Sequence, residues 1–412
     1  MDIDRCLSDP SFYATGDPHE IWTYLRREDP VHWTKSALSF GGFWSLTKHA
    51  DVSAAYCDPK SFSSERNGVA MPSTPEHEKI PREQFGFREM MILTDPPLHA
   101  AMRRAFNRLF LPRSVGRYET RGREIVDEIL AAVLARGECD FVREVAVRLP
   151  MAFICEMMAI PRQDWELIFQ WTNMALGADD PEFQIGSAAE TSVAGVTNVY
   201  GYCVKLALER RGKNGDDLLT IIGNAEVNGR MLSERELGHN GFQFVAGGME
   251  TTRNAISGGM LALIRNPEQM KRLATDPSIM PTAIEEILRW TSPITQIMRT
   301  AMRDIEMRGK TIHEGERVLL WNASANRDEE VFADPFKFDV TRTPNEHLAF
   351  GIGEHYCIGA HLARLEIRLM LEALLRQMPD MELAGEPERL QSMLLAGIKH
   401  MPVRFTPHPA GN

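Results

Sequence analysis

The apolar positions divide the chain into a short mixed opening, a long helical middle and a closing stretch in which strands return. Near the start, residues 31–33 and 43–47 alternate as strands do, and a helical pattern follows over 48–56. From 67 to 87 the periodicity fails, with glycine, proline and charge in no order. An irregular stretch of that length inside a compact protein predicts a lid or binding loop, with a disordered insertion as the alternative. Beyond Pro96, apolar residues recur three and four apart, predicting helices over 102–109, 118–136, 142–158, 164–176 and 188–211. Strand patterns reappear at 294–299, 305–307, 318–321 and 403–405. No Gly/Ser-rich linker, repeat or low-complexity segment interrupts this order. Residues 1–412 are therefore expected to form one mainly α domain with a small β lobe.

The longest helical pattern opens with Ser233-Glu-Arg-Glu236, a capping-box signature, and runs to Arg265 before Asn266-Pro267. Its roughly 33 residues would span about 50 Å. Midway lies Ala246-Gly247-Gly248-Met249-Glu250-Thr251-Thr252, which breaks the pattern. Each glycine costs about 1 kcal/mol against alanine in a helix interior, so something must offset both. Close packing against another helix, with the acid facing solvent, is one explanation. The other is that Gly247 and Gly248 let a flat ligand lie on the helix. Thr251 then competes for the Gly247 carbonyl four residues back, opening a turn for a diatomic ligand and a water, with Glu250 nearby to relay protons.

A second unusual stretch is Phe350-Gly-Ile-Gly-Glu-His355-Tyr-Cys357-Ile-Gly359, followed by an apolar helical pattern through Leu375. Its glycines allow tight turning and close approach of something bulky. A cysteine where a helix begins faces unpaired N–H groups and the positive end of the helix dipole, both of which favour thiolate. Three readings fit Cys357: a buried core cysteine, a zinc ligand beside His355 or His361, or the axial thiolate of a haem. No Cys-x-x-Cys or His-x-x-x-His accompanies it to complete a tetrahedral zinc site.

Composition narrows the picture modestly. The 412 residues are 43% apolar and 25% charged, an ordinary globular balance, and the formal charge of −11 argues against nucleic-acid binding. Cysteines 6, 57, 139, 155, 203 and 357 show no paired spacing, so a disulfide framework is not expected. Neither an apolar signal core at Met1-Asp-Ile-Asp-Arg nor a run of eighteen apolar residues is present, which predicts a cytoplasmic protein without a transmembrane anchor.

The loop Phe-Gly-x-Gly-x-His-x-Cys-x-Gly resembles, position by position, the haem-ligand signature of the cytochrome P450 family, and further motifs follow in that family's order. Glu250-Thr251 resembles its acid–alcohol pair, with glutamate where many bacterial members have aspartate. Glu286-Ile-Leu-Arg289, by itself a weak signal for a helix-face ion pair, resembles the family's internal salt-bridge motif, and Arg342 its third member. His99 and Arg103, four apart on one helix face, together with Arg299 and His355, match positions that bind the haem propionates. The resemblance implies a helical triangular prism with a small β lobe. It also implies haem b held by Cys357 with Phe350, Gly359, Gly247 and Gly248 around it, and O₂ and proton handling by Thr251 and Glu250.

What the resemblance implies about activity is a monooxygenase that uses O₂ and two electrons. No flavin or NAD fingerprint is present, so the electrons are expected from a separate ferredoxin and its reductase. Thr251-Thr-Arg-Asn254, Gly42-Phe-Trp44 and Gly397-Ile-Lys-His-Met-Pro-Val-Arg-Phe405 look like bacterial members that oxidise sterols and branched lipids, and similar sequences tailor polyketides and other secondary metabolites. Phe242, Val245 and Ala246 on the long helix, Ile294 to Ile297, and Leu394 and Leu395 are expected to line an apolar substrate pocket. A haem protein that binds lipid or gas without turnover, or a peroxide-driven oxidase, is the alternative. Residues 103–123 carry seven arginines (103, 104, 108, 113, 117, 121, 123) against Glu119 alone, which is either a solvated helix face or a docking patch for an acidic ferredoxin.

Overall fold

Burying the apolar stripes of many amphipathic helices against one another requires a layered helical body, and the computed structural model, which describes residues 2–407, has one. The helices that frame its centre are α1 (Leu98–Phe106), α2 (Glu119–Leu134), α3 (Arg148–Met157), α4 (Trp165–Leu176), α5 (Ala188–Arg210), α6 (Glu234–Arg265), α7 (Met280–Thr291) and α8 (Ala360–Gln377). Buried side chains from all of them, such as Met102, Leu130, Phe153, Ile168, Val199, Met249, Ile287 and Met370, belong to one hydrophobic core.

α6 is the axis of that body. Its capping box forms in full: the Ser233 hydroxyl accepts the Glu236 N–H, and the Glu236 carboxylate accepts the Ser233 N–H. Glycines then let its neighbours come close. A β-carbon at Gly238 or Gly241 would lie 2.4 Å from Tyr200 or Cys203 of α5, and one at Gly259 would lie 2.6 Å from Ile287 of α7.

The strands that matter for the site form one mixed sheet. They are β1 (Val31–Lys35), β2 (Gly42–Leu46), β3 (Phe62–Ser63), β4 (Ile297–Ala301) and β5 (Arg317–Leu320), in the spatial order β1-β2-β5-β4-β3. β1 and β2 pair antiparallel with Trp33 opposite Trp44, β5 runs parallel to β2, and Val318 of β5 faces Arg299 of β4.

Two local expectations change, and the irregular stretch gains detail. The helix foreseen over 142–158 is a π turn (Val142–Ala146) followed by α3, because Pro150 has no N–H for the Ala146 carbonyl. Strand pairing in the main sheet starts at Ile297 rather than 294, since Ile294 bridges Leu395 and the Thr295 N–H goes to the Leu394 carbonyl at 2.8 Å. Residues 67–87 hold only a turn of helix (Pro75–Glu78) and a 3₁₀ turn (Arg82–Gln84), and the Ser73 hydroxyl ties them to Asp179 at 2.5 Å. Among the described residues no helix is long and apolar enough to cross a membrane, and all six cysteines are free.

Candidate active site

The cysteine loop turns back on itself through Gly351 and Gly353, whose φ angles of 63° and 73° are open to glycine and strained for other residues. A β-carbon at Gly353 would also lie 2.9 Å from the Tyr56 carbonyl. The Cys357 N–H donates to the Phe350 carbonyl at 2.9 Å, which closes the loop just before α8. The Gly359 N–H, Arg103 and Arg364 all favour the Cys357 thiolate, but burial outweighs them and pushes the thiol pKa up. The helix-end donors expected from the sequence are thus present, and they act against the cost of burial. Arg364 is itself pinned, donating to Glu285 at 2.6 and 2.7 Å and lying 4.6 Å over the Phe350 ring.

Cys357 borders a cavity of about 270 Å³ that α6 roofs from the opposite side. Here the two explanations of the glycine pair separate. A β-carbon at Gly247 would meet nothing within 4 Å, and one at Gly248 only the Ile154 side chain at 3.2 Å, unlike the tight contacts of Gly238 and Gly241. Gly247 faces open cavity and no packed helix, as a surface that receives a flat ligand must. The Thr251 hydroxyl donates to the Gly247 carbonyl at 2.7 Å as expected. The helix nevertheless runs unbroken, so one side-chain bond shares this carbonyl without opening the turn.

Glu250 lies outside the cavity lining. It is 2% exposed and ion-paired with Arg253, 3% exposed, one turn along α6, and its Oε1 has no partner. Burial raises its pKa against the opposing pull of Arg253, whose Nη1 also donates to the Asn173 Oδ1 at 3.2 Å. The alternative in which this acid faces solvent is thereby excluded.

The end of the cavity towards β4 gathers basic side chains. His99 and His355 stack with ring centroids 3.9 Å apart, and the Ser64 hydroxyl lies 3.3 Å from His355 Nε2. Arg103 donates to the Glu354 carbonyl at 3.4 Å, while Arg299, 4% exposed, donates to the Met298 carbonyl at 2.9 Å. Burial, reinforced by the neighbouring arginines, lowers His99 to about 4 and His355 to about 2. Neither arginine has an ion-pair partner among the described residues, and His99 Nδ1 is buried without a hydrogen bond. Arg299 is buried and Arg103 half-buried beside it, and a guanidinium held in the protein without a carboxylate is costly unless an anion joins it. A sulfur ligand below, a glycine wall above and an anion-binding end fit haem with its two propionates. Among the described residues no three His, Cys, Asp or Glu side chains gather as zinc would require.

Residues 151–379 match the family model described as Cytochrome P450. The chain belongs to the cytochrome P450 family. It is 42% identical over 93% of its length and 90% of the relative's to a methyl-branched lipid omega-hydroxylase of Mycobacterium tuberculosis. A steroid C26-monooxygenase of Mycobacterium bovis is 38% identical over 97% of this chain and 92% of that one. A Mycobacterium marinum cytochrome P450 solved in complex with pseudoionone superposes with a TM-score of 0.91 at 32% identity, covering 97% of this chain and 98% of that one. As a cytochrome P450 the protein is a haem-thiolate monooxygenase of lipophilic small molecules.

Other sites foreseen in this cytochrome P450 fall as follows. Ile294 and Ile297 line the cavity, whereas Phe242, Val245 and Ala246 lie in the helical core and Leu394 and Leu395 sit behind Ile294. Helical phase explains the correction: with Gly247 and Thr251 facing inward, residues four apart share that face, so Gln243 and Ala255 line the cavity, with Phe244 beside them. Met91 and Ile92, from a short turn that sequence reading passed over, also line it. Glu366 was missed as well. It borders the cavity 2% exposed with Oε2 unpaired, and burial pushes its pKa well up. Its sequence signal was a carboxylate between Leu365 and Ile367, inside the apolar run of α8.

Glu286 and Arg289 are both fully buried, joined by two hydrogen bonds of 2.7 and 2.8 Å. Arg342 adds a third bond to Glu286 at 3.1 Å, and the Asp339 N–H a fourth at 2.9 Å. Arg289 reaches onward to the carbonyls of Asn326 and Pro335, fastening α7 to the segment that leads into the cysteine loop.

Proposed function

We propose that the protein binds haem b through Cys357 and, with electrons from a ferredoxin and its reductase, hydroxylates an extended lipophile of the branched-lipid or steroid type. The observation that carries this reading is the cavity itself, with Cys357 on one wall, Gly247 and Thr251 on the other and unpaired Arg103 and Arg299 at its end. The relatives named for methyl-branched lipids and steroids support the substrate class. The overall change is RH + O₂ + 2e⁻ + 2H⁺ → ROH + H₂O.

Bound there, haem supplies the oxygen activation that side chains cannot. Arg299, Arg103, His99 and His355 would hold its propionates. Phe350 and Gly359 would shape the surroundings of the sulfur, and Gly247 and Gly248 would leave room for a flat ring against α6. The Thr251 hydroxyl, released from the Gly247 carbonyl by a χ1 rotation, can donate into the cavity and accept a proton in return. Burial raises the pKa of Glu250 against the pull of Arg253, and a proton passed from it to Thr251 would come with a break in the Arg253 pair. Val69, Met91, Ile92, Ile294 and Ile297 exclude water and grip an apolar guest.

With a ferredoxin, its reductase and the methyl ester of a methyl-branched fatty acid as probe, the wild type should give a hydroxylated product labelled from ¹⁸O₂. Thr251→Ala should bind the probe as tightly but divert most electrons to peroxide or water, lowering product per NAD(P)H at least about tenfold. Wild-type coupling in this variant would remove Thr251 from the proton path. An unlabelled product would overturn the monooxygenase reading.

A ferredoxin would dock on those arginines of residues 103–123 that carry no ion pair among the described residues. Arg121 is engaged by Glu156, Glu124 and Glu128, Arg123 by Glu119 and Glu372, and Arg117 by Asp216 at 3.8 Å. Arg104, Arg108 and Arg113 are exposed and have no ion pair among the described residues. They surround α1, whose Arg103 belongs to the cavity on the cysteine side. Charge reversal at each (Arg104→Glu, Arg108→Glu, Arg113→Glu) should weaken reduction by ferredoxin for at least one, most clearly at low salt, since exposed charges are screened within roughly 10 Å at 0.1 M. Reduction at wild-type rates by all three at every ionic strength would place the donor elsewhere.

A further inference from the structure

We propose that Gln243 recognises an uncharged acceptor oxygen on the substrate, two turns of α6 from Thr251. The inference rests on the monooxygenase reading of the same cavity and adds a chemical requirement to the lipophile.

Two amide side chains, one turn apart, stitch α6 to the turn at 89–93. Asn240 is fully buried and complete: it accepts the Met91 N–H at 3.0 Å and donates at 2.7 Å to the carbonyls of both Glu89 and Glu236. Gln243 makes the corresponding contact, accepting the Ile92 N–H at 2.9 Å. A backbone N–H can only face an oxygen, so this bond fixes which end of the amide is Nε2. That Nε2 donates to nothing among the described residues, and Gln243, unlike Asn240, lines the cavity. A pinned amide with an unused NH₂ group thus belongs to the cavity lining.

Gln243, Gly247 and Thr251 lie four apart on one helix face, which sets the donor about 12 Å along the axis from the Thr251 position. Uncharged Val69, Met91, Ile92, Phe244, Ile294 and Ile297 line the same cavity, and Ile92 and Phe244 stand directly beside the amide. A carboxylate placed there would be buried without a cation, because the basic side chains stand at the propionate end. A ketone, ester, ether or hydroxyl oxygen would complete the amide and remove its desolvation penalty. One such bond fixes the register of an otherwise featureless chain, and therefore which carbon reaches the oxidising centre.

The test compares 2-dodecanone with dodecane on the haem-loaded protein, reading dissociation constants from the ligand-induced shift of the haem absorption band. Wild type should favour the ketone. Gln243→Met should weaken ketone binding roughly three- to tenfold, the range for one neutral hydrogen bond, and leave dodecane unchanged. It should also spread the sites of ketone hydroxylation that the wild type keeps narrow. Gln243→Leu serves as a second variant of different shape. An equal loss for ketone and alkane, or an unchanged ketone-to-alkane ratio, would overturn the proposal and leave Gln243 as a clasp for Ile92. Failure of the underlying monooxygenase reading is distinguishable, since wild type would then shift its spectrum with neither probe.

Discussion

Glu286→Ala should yield a chain that folds poorly and retains little haem. Its carboxylate, itself fully buried, accepts from Arg289 twice, from Arg342, from the Asp339 N–H and from Asn345 at 3.2 Å. Alanine would leave the fully buried Arg289 guanidinium without its counter-charge. Breaking a buried pair by removing one partner costs about 3–5 kcal/mol, which is a large part of the about 5–15 kcal/mol that keeps a domain folded. Chemical denaturation followed by circular dichroism, with haem content by absorbance, measures both effects. Glu286→Gln keeps acceptor capacity without the charge and should fall between the two. A loss below about 1 kcal/mol in the alanine variant would mean that the network contributes little to the fold, whatever its geometry.

Cys357→His should have the largest effect on function with little on the fold. An imidazole can still ligate iron, and Arg103, Arg299, His99 and His355 remain to hold the propionates, so haem should stay bound. Ferredoxin-driven hydroxylation of the methyl-branched probe should fall at least about a thousandfold, because an anionic sulfur donor favours O–O cleavage and a neutral nitrogen does so far less. Consumption of NAD(P)H can persist through peroxide release, so product formation is the quantity to measure. Hydroxylation within about tenfold of wild type would detach the reaction from this sulfur.

Much of the site was legible because its residues break local rules. The glycine pair in α6 violates helix propensity, the cysteine loop needs positive φ at Gly351 and Gly353, and Ser233 with Glu236 forms a cap that nothing distant disturbs. What escaped depends on geometry that spacing leaves open. Phe242, Val245 and Ala246 are as apolar as a pocket requires, and only the phase fixed by Gly247 shows that they face the core. Glu250 was legible as an odd acid, but its partner Arg253 could equally have faced solvent until the packing of α4 placed Asn173 beside it. Among the seven arginines, those already neutralised by Glu156, Glu372 and Asp216 could be told from the free ones only when distant acids were brought near them. The strand expected from 294 starts late because Ile294 and Thr295 pair with Leu395 and Leu394, a contact about a hundred residues away that no local pattern encodes.

The most direct test of the account is the spectrum of the purified, haem-loaded protein, reduced with dithionite and exposed to carbon monoxide. If Cys357 is an axial thiolate, the Soret band of the wild-type CO complex moves far to the red of that of an imidazole-ligated haem, and Cys357→His restores the imidazole position while haem remains bound. A wild-type CO complex with the Soret band of a globin would contradict the assignment of Cys357, and with it the monooxygenase chemistry built on that sulfur.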